Sequence, residues 1–209
     1  MRPTMLFGWN VKTALFLFVA ALLASSTAHA APIMTIDIGG TGSSANLGIG
    51  STVTVSLYGD EIPAGTDGNG LFGFGFAITF DDTVLSSSAA TAGALWVGVG
   101  NSTSHNNPGD VGIIANRMYV TSGPSGNDIL FASIDFTGIA LGLSGLTVSY
   151  YTGAGDNILF DMTELDGSPS FFQSGSIEVV PEPQTALLLG MGLTFLGVQR
   201  RRMEFGRTR

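Results

Sequence analysis

Apolar and polar side chains between residues 31 and 180 alternate in short bursts, separated by clusters of Gly, Ser, Asn, Asp and Pro. Val53, Val55 and Leu57 interleave with Thr52, Thr54 and Ser56, the period of two that marks a half-buried strand. The strongest burst runs from Leu71 to Phe80, where Phe72, Phe74, Phe76, Ile78 and Phe80 alternate with Gly73, Gly75, Ala77 and Thr79. Successive side chains of a strand point to opposite faces, so one face carries the aromatic load and predicts core. The other face is nearly bare, which predicts close approach of a loop or a second backbone. Further strands are expected at 33–38, 95–99, 112–115, 117–120, 129–136, 146–151, 157–162 and 175–180. Stretches such as 65–70 and 122–126 read as turns because Gly, Asn, Asp and Pro punctuate local structure. No helical periodicity interrupts this series, and many short strands at such spacing predict an all-β sandwich. Gly126-Asn127-Asp128-Ile129-Leu130-Phe131 is echoed by Gly155-Asp156-Asn157-Ile158-Leu159-Phe160. One short echo reads as two similar strand entries and not as a repeat architecture.

The two ends follow different patterns. Residues 1–30 place Arg2 and Lys12 before an apolar run at 14–24 and close on Ala28-His29-Ala30, the layout of a signal peptide cleaved before Ala31. Residues 181–209 begin with Pro181-Glu182-Pro183, continue through an apolar run at 186–198 and reach Arg200-Arg201-Arg202. Pro181 and Pro183 lack amide protons and hold the chain extended. At 1.5 Å per residue the run is about 20 Å long, short of a hydrocarbon core of about 30 Å, so it suits transient better than permanent insertion. The arginines belong on the cytoplasmic side, leaving residues 31–180 outside. That middle section is expected to be one domain, long enough to fold on its own core.

Charge then narrows the chemistry. The chain has 16 acidic and 8 basic residues, a formal net charge of -8. Arg117 is the sole basic side chain between residues 31 and 180. Nucleic-acid binding relies on cations that neutralise phosphates, so no nucleic-acid partner is expected. There is no cysteine, hence neither a disulfide nor thiol chemistry. His29 falls in the signal peptide, which leaves His105 as the one imidazole, in a stretch (101–109) that reads as a loop. One histidine without cysteine makes a poor zinc site, and no G-x-S-x-G nucleophile motif occurs. Asp81 and Asp82 could be weighed as a glycosidase pair, but their place just after Phe80 reads as a turn. No enzyme and no required cofactor are expected. Calcium is the ion that loop carboxylates could hold: Asp67, Asn69 and Asp156 offer oxygens beside glycines. The same dipeptides are also ordinary turn formers. Trp96 and Tyr151 are the candidate stacking platforms for sugar. Tyr150 shares parity with Leu146 and Val148 and reads as core, which leaves Tyr151 exposed.

Two resemblances build on these residues. Thr52-Val53-Thr54-Val55, the segment from Leu71 through Asp81-Asp82-Thr83-Val84-Leu85, the strand at 129–136 and the closing strand at 175–179 together resemble the cohesin-type module of bacterial cell-surface and cellulosome proteins. The resemblance covers roughly residues 35–180 and implies a jelly-roll, cohesin-like β-sandwich of about nine strands. That fold is related to carbohydrate-binding modules, but it does not itself dictate function. Pro181, Glu182, Pro183, the apolar run and Arg200, Arg201, Arg202 resemble the PEP-CTERM sorting signal, a tail also named the ice-binding-protein C-terminal domain. This second resemblance implies an exosortase partner in the inner membrane of a Gram-negative bacterium and cleavage near the motif. The expected function is an exported, non-enzymatic protein of the cell surface or extracellular matrix, structural or adhesive in exopolysaccharide or biofilm. Carbohydrate binding is the alternative.

Overall fold

Burial of the aromatic face of 71–80 organises the molecule. The structure, a computed structural model, describes residues 30–152, 156–167, 170–181 and 187–194. In chain order its strands are β1 (Ile33–Ile38), β2 (Ser44–Gly48), β3 (Thr52–Asp60), β4 (Leu71–Thr79), β5 (Leu85–Ser87), β6 (Thr91–Ala92), β7 (Ser102–Asn107), β8 (Asp110–Asn116), β9 (Ile129–Gly138), β10 (Gly142–Ser149), β11 (Ile158–Leu159) and β12 (Gly175–Val180). Nine of these have five residues or more. One sheet has the order β1-β3-β9-β5 with β6 also on β9, and the other has β2-β12-β10-β4-β8-β7 with β11 also on β4. The pairing is antiparallel except between β2 and β12. This is an all-β sandwich of two sheets.

The alternation of β4 explains how the sheets meet. Phe74, Phe76 and Ile78 are fully buried, as are Phe131 and Phe136 of β9 in the opposite sheet. Phe74 stacks on Phe131 with centroids 4.9 Å apart, so the core is continuous across the layers. Each buried phenylalanine contributes about 1.5–3 kcal/mol of transfer free energy. Phe72 and Phe80 sit half-buried at the strand's two ends, edge-on to Phe160 and Phe136. On the bare face the expected close approach is present. A Cβ built on Gly75 would lie 2.8 Å from Asp156 Cβ, and one on Gly112 would lie 2.9 Å from His105 Cε1.

The chain crosses between sheets at Gly39-Gly40-Thr41-Gly42, joining β1 in one sheet to β2 in the other. Gly39, Gly40 and Gly42 have φ of 62°, 75° and 95°, a region glycine enters without steric cost. Ile38 N–H donates to Gly42 O at 2.7 Å and closes the corner. The register fixes which loops share an end. Thr79 faces Asp110 across β4 and β8, Thr147 faces Thr79, and Val179 faces Gly142. Leu85 faces Gly138 after the turn that leaves β4. The turns at 48–51, 80–84, 108–109 and 138–142 therefore gather where the chain leaves at Val180. Asn116, facing Gly73, lies at the far end with Arg117–Val120 and the segment that follows β6.

Several expectations are corrected. Residues 95–99 are not a strand: Ala94–Trp96 forms a 3-10 helix and a turn follows. Residues 117–120 are also a turn, and 157–162 contributes only the two-residue β11. Ser102–Asn107 is a strand and not a loop. It is polar throughout because it lies at the sheet edge, where burial imposes no apolar period. It pairs with β8 through a two-residue Pro108-Gly109 turn. Gly109 has φ +74°, as the third position of a type II turn requires. The parallel strand β2 and the short β5 and β6 carry no alternation that the pattern could expose.

Candidate binding surfaces

The outer face of β4, β8 and β7 is assembled around small residues. Ser149 faces Ala77, Ala77 faces Gly112, and Gly112 faces His105, giving one row across four strands. With no side chain on Gly112, the His105 ring lies directly over the sheet. His105 Nε2 is 3.0 Å from Asp110 Oδ2. Tyr151, beyond the end of β10, brings its ring to 5.0 Å from that of His105. Tyr151 is thus half-buried against His105 and is not the freely exposed ring that parity implied. Tyr150 is also half-buried: its hydroxyl donates to Asp166 O at 2.8 Å, and its ring meets Phe172 edge-on.

Trp96 is a core residue. It is 2% exposed, its Nε1–H donates to Leu130 O at 3.1 Å, and its ring packs edge-on to Phe74 at 4.7 Å. As a sugar platform it is excluded by burial. Arg117 closes over it, with Cζ 5.8 Å from the indole centroid, Nε–H donating to Ser122 O at 3.1 Å and Nη1–H donating to Leu95 O. The one Lys or Arg of residues 31–180 therefore staples loops together and covers an aromatic ring. The exposed aromatic at this end is Tyr119, 68% accessible, and Leu95, Val97 and Met118 are exposed as well. Its hydroxyl is 3.2 Å from Asn101 Oδ1, and its N–H donates to Val99 O at 2.8 Å. Sequence reading missed Tyr119 because 117–120 carries strand-forming residues; the neighbouring Ser122-Gly123-Pro124 was the available turn signal.

The carboxylates do internal work. Asn69 N–H and Nδ2–H donate to Asp67 at 3.0 and 2.8 Å, a local turn bond. Asp156 is buried and accepts from Thr152 N–H and Oγ1–H at 2.7 and 2.6 Å. Among the described residues no three His, Asp or Glu side chains gather as a metal-holding group. Asp81 and Asp82 are exposed, and Asp81 Oδ1 accepts from Thr83 N–H and Oγ1–H. Those Thr83 bonds hold the Asp81 carboxyl below its ordinary value. An open groove of about 330 Å³ runs between β5 and β7, lined in part by Phe80, Leu85, Ser87 and Asn106. Ser87 Oγ–H donates to Asn106 Oδ1 at 2.8 Å, and Asn106 Nδ2–H donates to Ser87 O at 3.1 Å, which bridges the two sheets at their edges.

Asp161 is the carboxylate with the largest perturbation. Thr66 N–H and Oγ1–H donate to Asp161 Oδ2 at 2.6 and 2.8 Å, and Thr163 N–H donates to Oδ1 at 3.0 Å. These bonds, those of Thr66 foremost, hold the carboxyl far below its ordinary value. A depressed folded pKa contributes stability that is present above the unfolded value of about 4 and lost as pH falls through the folded one. Asp161→Asn should therefore lower the melting midpoint at about pH 6 and flatten its decline between about pH 4 and 2. Melting curves at both ends of that window check this; an acid slope equal to that of the parent would remove Asp161 as its source.

Other expected site residues fall at the chain's ends. Ala28, Glu182, Pro183, Arg200, Arg201 and Arg202 lie outside the described residues, whereas Ala30 and Pro181 are described and exposed. Residues 187–194 are helical, and all eight are exposed. Leu187, Leu188, Leu189, Met191 and Leu193 lie among them with most of their surface open. No helix of the described residues is long and apolar enough to cross a membrane.

No protein-family model matches the chain, and no curated protein matches it. Solved structures do. The sixth cohesin of scaffoldin B from Acetivibrio cellulolyticus, crystallised with a mutant dockerin, is 17% identical with a TM-score of 0.55, over 72% of this chain and 100% of that one. A cohesin from a Clostridium thermocellum type I cohesin–dockerin complex is 13% identical with a TM-score of 0.56, over 76% and 99%. A non-cellulosomal cohesin from the archaeon Archaeoglobus fulgidus is 13% identical with a TM-score of 0.52, over 74% and 96%. At such identities the likeness is one of fold: the sandwich of this chain has the cohesin architecture.

Proposed function

We propose that this chain is an exported, non-enzymatic binding module, carried to the cell exterior and released or held there through a PEP-CTERM-type tail processed by an exosortase. The observation that carries this reading is the helix at 187–194, whose leucines and methionine are exposed on every side. A helix apolar all round belongs in lipid or inside a larger assembly. It follows Pro181-Glu182-Pro183 and precedes Arg200-Arg201-Arg202, in the order of a sorting signal. The sandwich supplies the binding module. Cohesins of this fold are seen in complex with dockerins, so a protein partner suits the architecture better than a catalytic role does. The likeness of the tail to a sorting signal supports a structural or adhesive place in exopolysaccharide or biofilm.

Carbohydrate binding is the second reading, favoured by the exposed ring of Tyr119 and not by Trp96. Intact mass of the protein from its host, with and without the exosortase, tests the main reading. A mature species ending near Pro183 only when the enzyme is present is the expected result. A membrane species retaining Arg209 in both strains would refute processing. Retention on the host's polysaccharide that is lost in Tyr119→Ala would promote the second reading.

A further inference from the structure

The end of the sandwich from which the tail departs carries an apolar patch that the fold does not cover. Val180 faces Gly48 and Val179 faces Gly142 in the β12 register, so Ile49 and Leu141 flank the last strand residues on both sides. Ile139 is on the same turn as Leu141, its N–H bonded to Val84 O. Leu143 faces Glu178. Ile49, Ile139, Leu141 and Leu143 are 45%, 47%, 54% and 66% exposed. Exposed apolar side chains gathered on one surface mark an interaction site, and these four ring the chain's exit.

Five residues, 181–185, separate Val180 from the apolar run at 186–198. Fully extended, the six steps from Val180 to residue 186 reach at most about 22 Å. If that run enters a bilayer, this end of the sandwich is tethered within that distance of the lipid surface, and Ile49, Ile139, Leu141 and Leu143 face it. We infer that this patch is a lipid-docking surface: the tail-proximal end of the sandwich rests on the membrane interface while the tail is inserted. The inference rests on the tail-insertion part of the reading above. The charge around the patch selects the lipid. Asp81, Asp82 and Glu178 are exposed at this end, and Arg117, the one basic residue of 31–180, is at the far end. Anionic headgroups are thus repelled, and the matching surface is zwitterionic, with the apolar side chains buried at the headgroup–acyl boundary. Docking would hold the sandwich upright, with Leu95, Val97, Met118 and Tyr119 directed outward.

The chain has no cysteine, so single cysteines introduced for a polarity-sensitive label report one position each. Exported chain with its tail intact, recovered from cells lacking the exosortase, is labelled at Leu141→Cys, at Tyr119→Cys or at Leu189→Cys. It is then reconstituted in phosphatidylcholine vesicles containing a headgroup nitroxide lipid or an acyl-chain nitroxide lipid. The expected result has three parts: acyl-chain quenching at 189, headgroup quenching at 141 several-fold above that at 119, and a weaker effect at 141 when phosphatidylglycerol replaces most of the phosphatidylcholine. Quenching at 189 with equal, low values at 141 and 119 would overturn the docking surface and leave the inserted tail standing. No quenching at 189 would overturn both. A label at 141 shielded from the nitroxides, with a doubled mass by light scattering, would seat a second copy there and also overturn the proposal.

Discussion

Replacing Asn157 with alanine should lower unfolding free energy by about 2–4 kcal/mol, because it orphans two buried backbone groups. β10 leaves β4 once Ser149 has faced Ala77, and β11 rejoins it where Ile158 faces Gly73. Gly75, between them, has no strand on that side, and the fully buried Asn157 side chain takes its place. Its Oδ1 accepts from Gly75 N–H at 3.3 Å, and its Nδ2–H donates to Gly75 O at 2.9 Å. The same Nδ2 and the Asn157 backbone N–H donate to Asp166 Oδ2 at 3.0 and 3.1 Å. An amide is the group that can both donate and accept here. Asn157→Asp should therefore cost more than Asn157→Ala at neutral pH, since it sets a carboxylate against both Gly75 O and Asp166. Urea unfolding of the two variants checks the order. A loss below about 0.5 kcal/mol for alanine, the range of an ordinary surface change, would mean that Gly75 is satisfied otherwise.

This network marks the boundary of what the sequence could say. The alternation in β4 exposed the core and the need for something close above Gly73 and Gly75, because a period of two is imposed by burial wherever one face is dry. β1, at Ile33–Ile38, and β12, at Gly175–Val180, were legible to the residue for the same reason. Asp156 was legible as a turn residue or a calcium ligand, and Asn157 as the entry to a strand at 157–162. Their true partners, Thr152 and Gly75, lie respectively on the loop and 82 residues away. Nothing local distinguishes an asparagine that replaces a strand from one that ends a turn. The polar β7 was missed because an edge strand is under no apolar constraint, and its pairing is set by the Pro108-Gly109 turn. Trp96 was weighed as a platform and Tyr119 passed over within an expected strand for a related reason. Each stands between apolar residues, Leu95 and Val97 or Met118 and Val120, and only the fold of the 95–101 segment against 116–120 decides which ring faces inward.

Trp96→Ala should be the more damaging change, with an expected loss of about 3–5 kcal/mol, the range for emptying a buried large aromatic site. The indole meets Phe74 and Phe131 and supplies the hydrogen bond to Leu130 O. Its loss also leaves Arg117 without the ring beneath it. Trp96→Phe separates these contributions, since it keeps most of the apolar volume and removes the donor; a loss of about 1–2 kcal/mol is expected from the orphaned carbonyl and the smaller ring. Tyr119→Ala, which vacates no buried site, should stay within about 0.5 kcal/mol of the parent. The comparison decides between two kinds of aromatic. If Trp96→Phe matched the parent in stability but failed to be retained on polysaccharide, the indole would be a recognition group and its burial would have to open on binding. If stability falls in the order Ala, then Phe, while retention follows Tyr119 alone, Trp96 holds the far end together and leaves the contact surface to the residues around Tyr119. The second outcome is expected, because a ring fixed by one backbone carbonyl, two phenylalanines and the sole cation of the sandwich has no free face to offer a sugar.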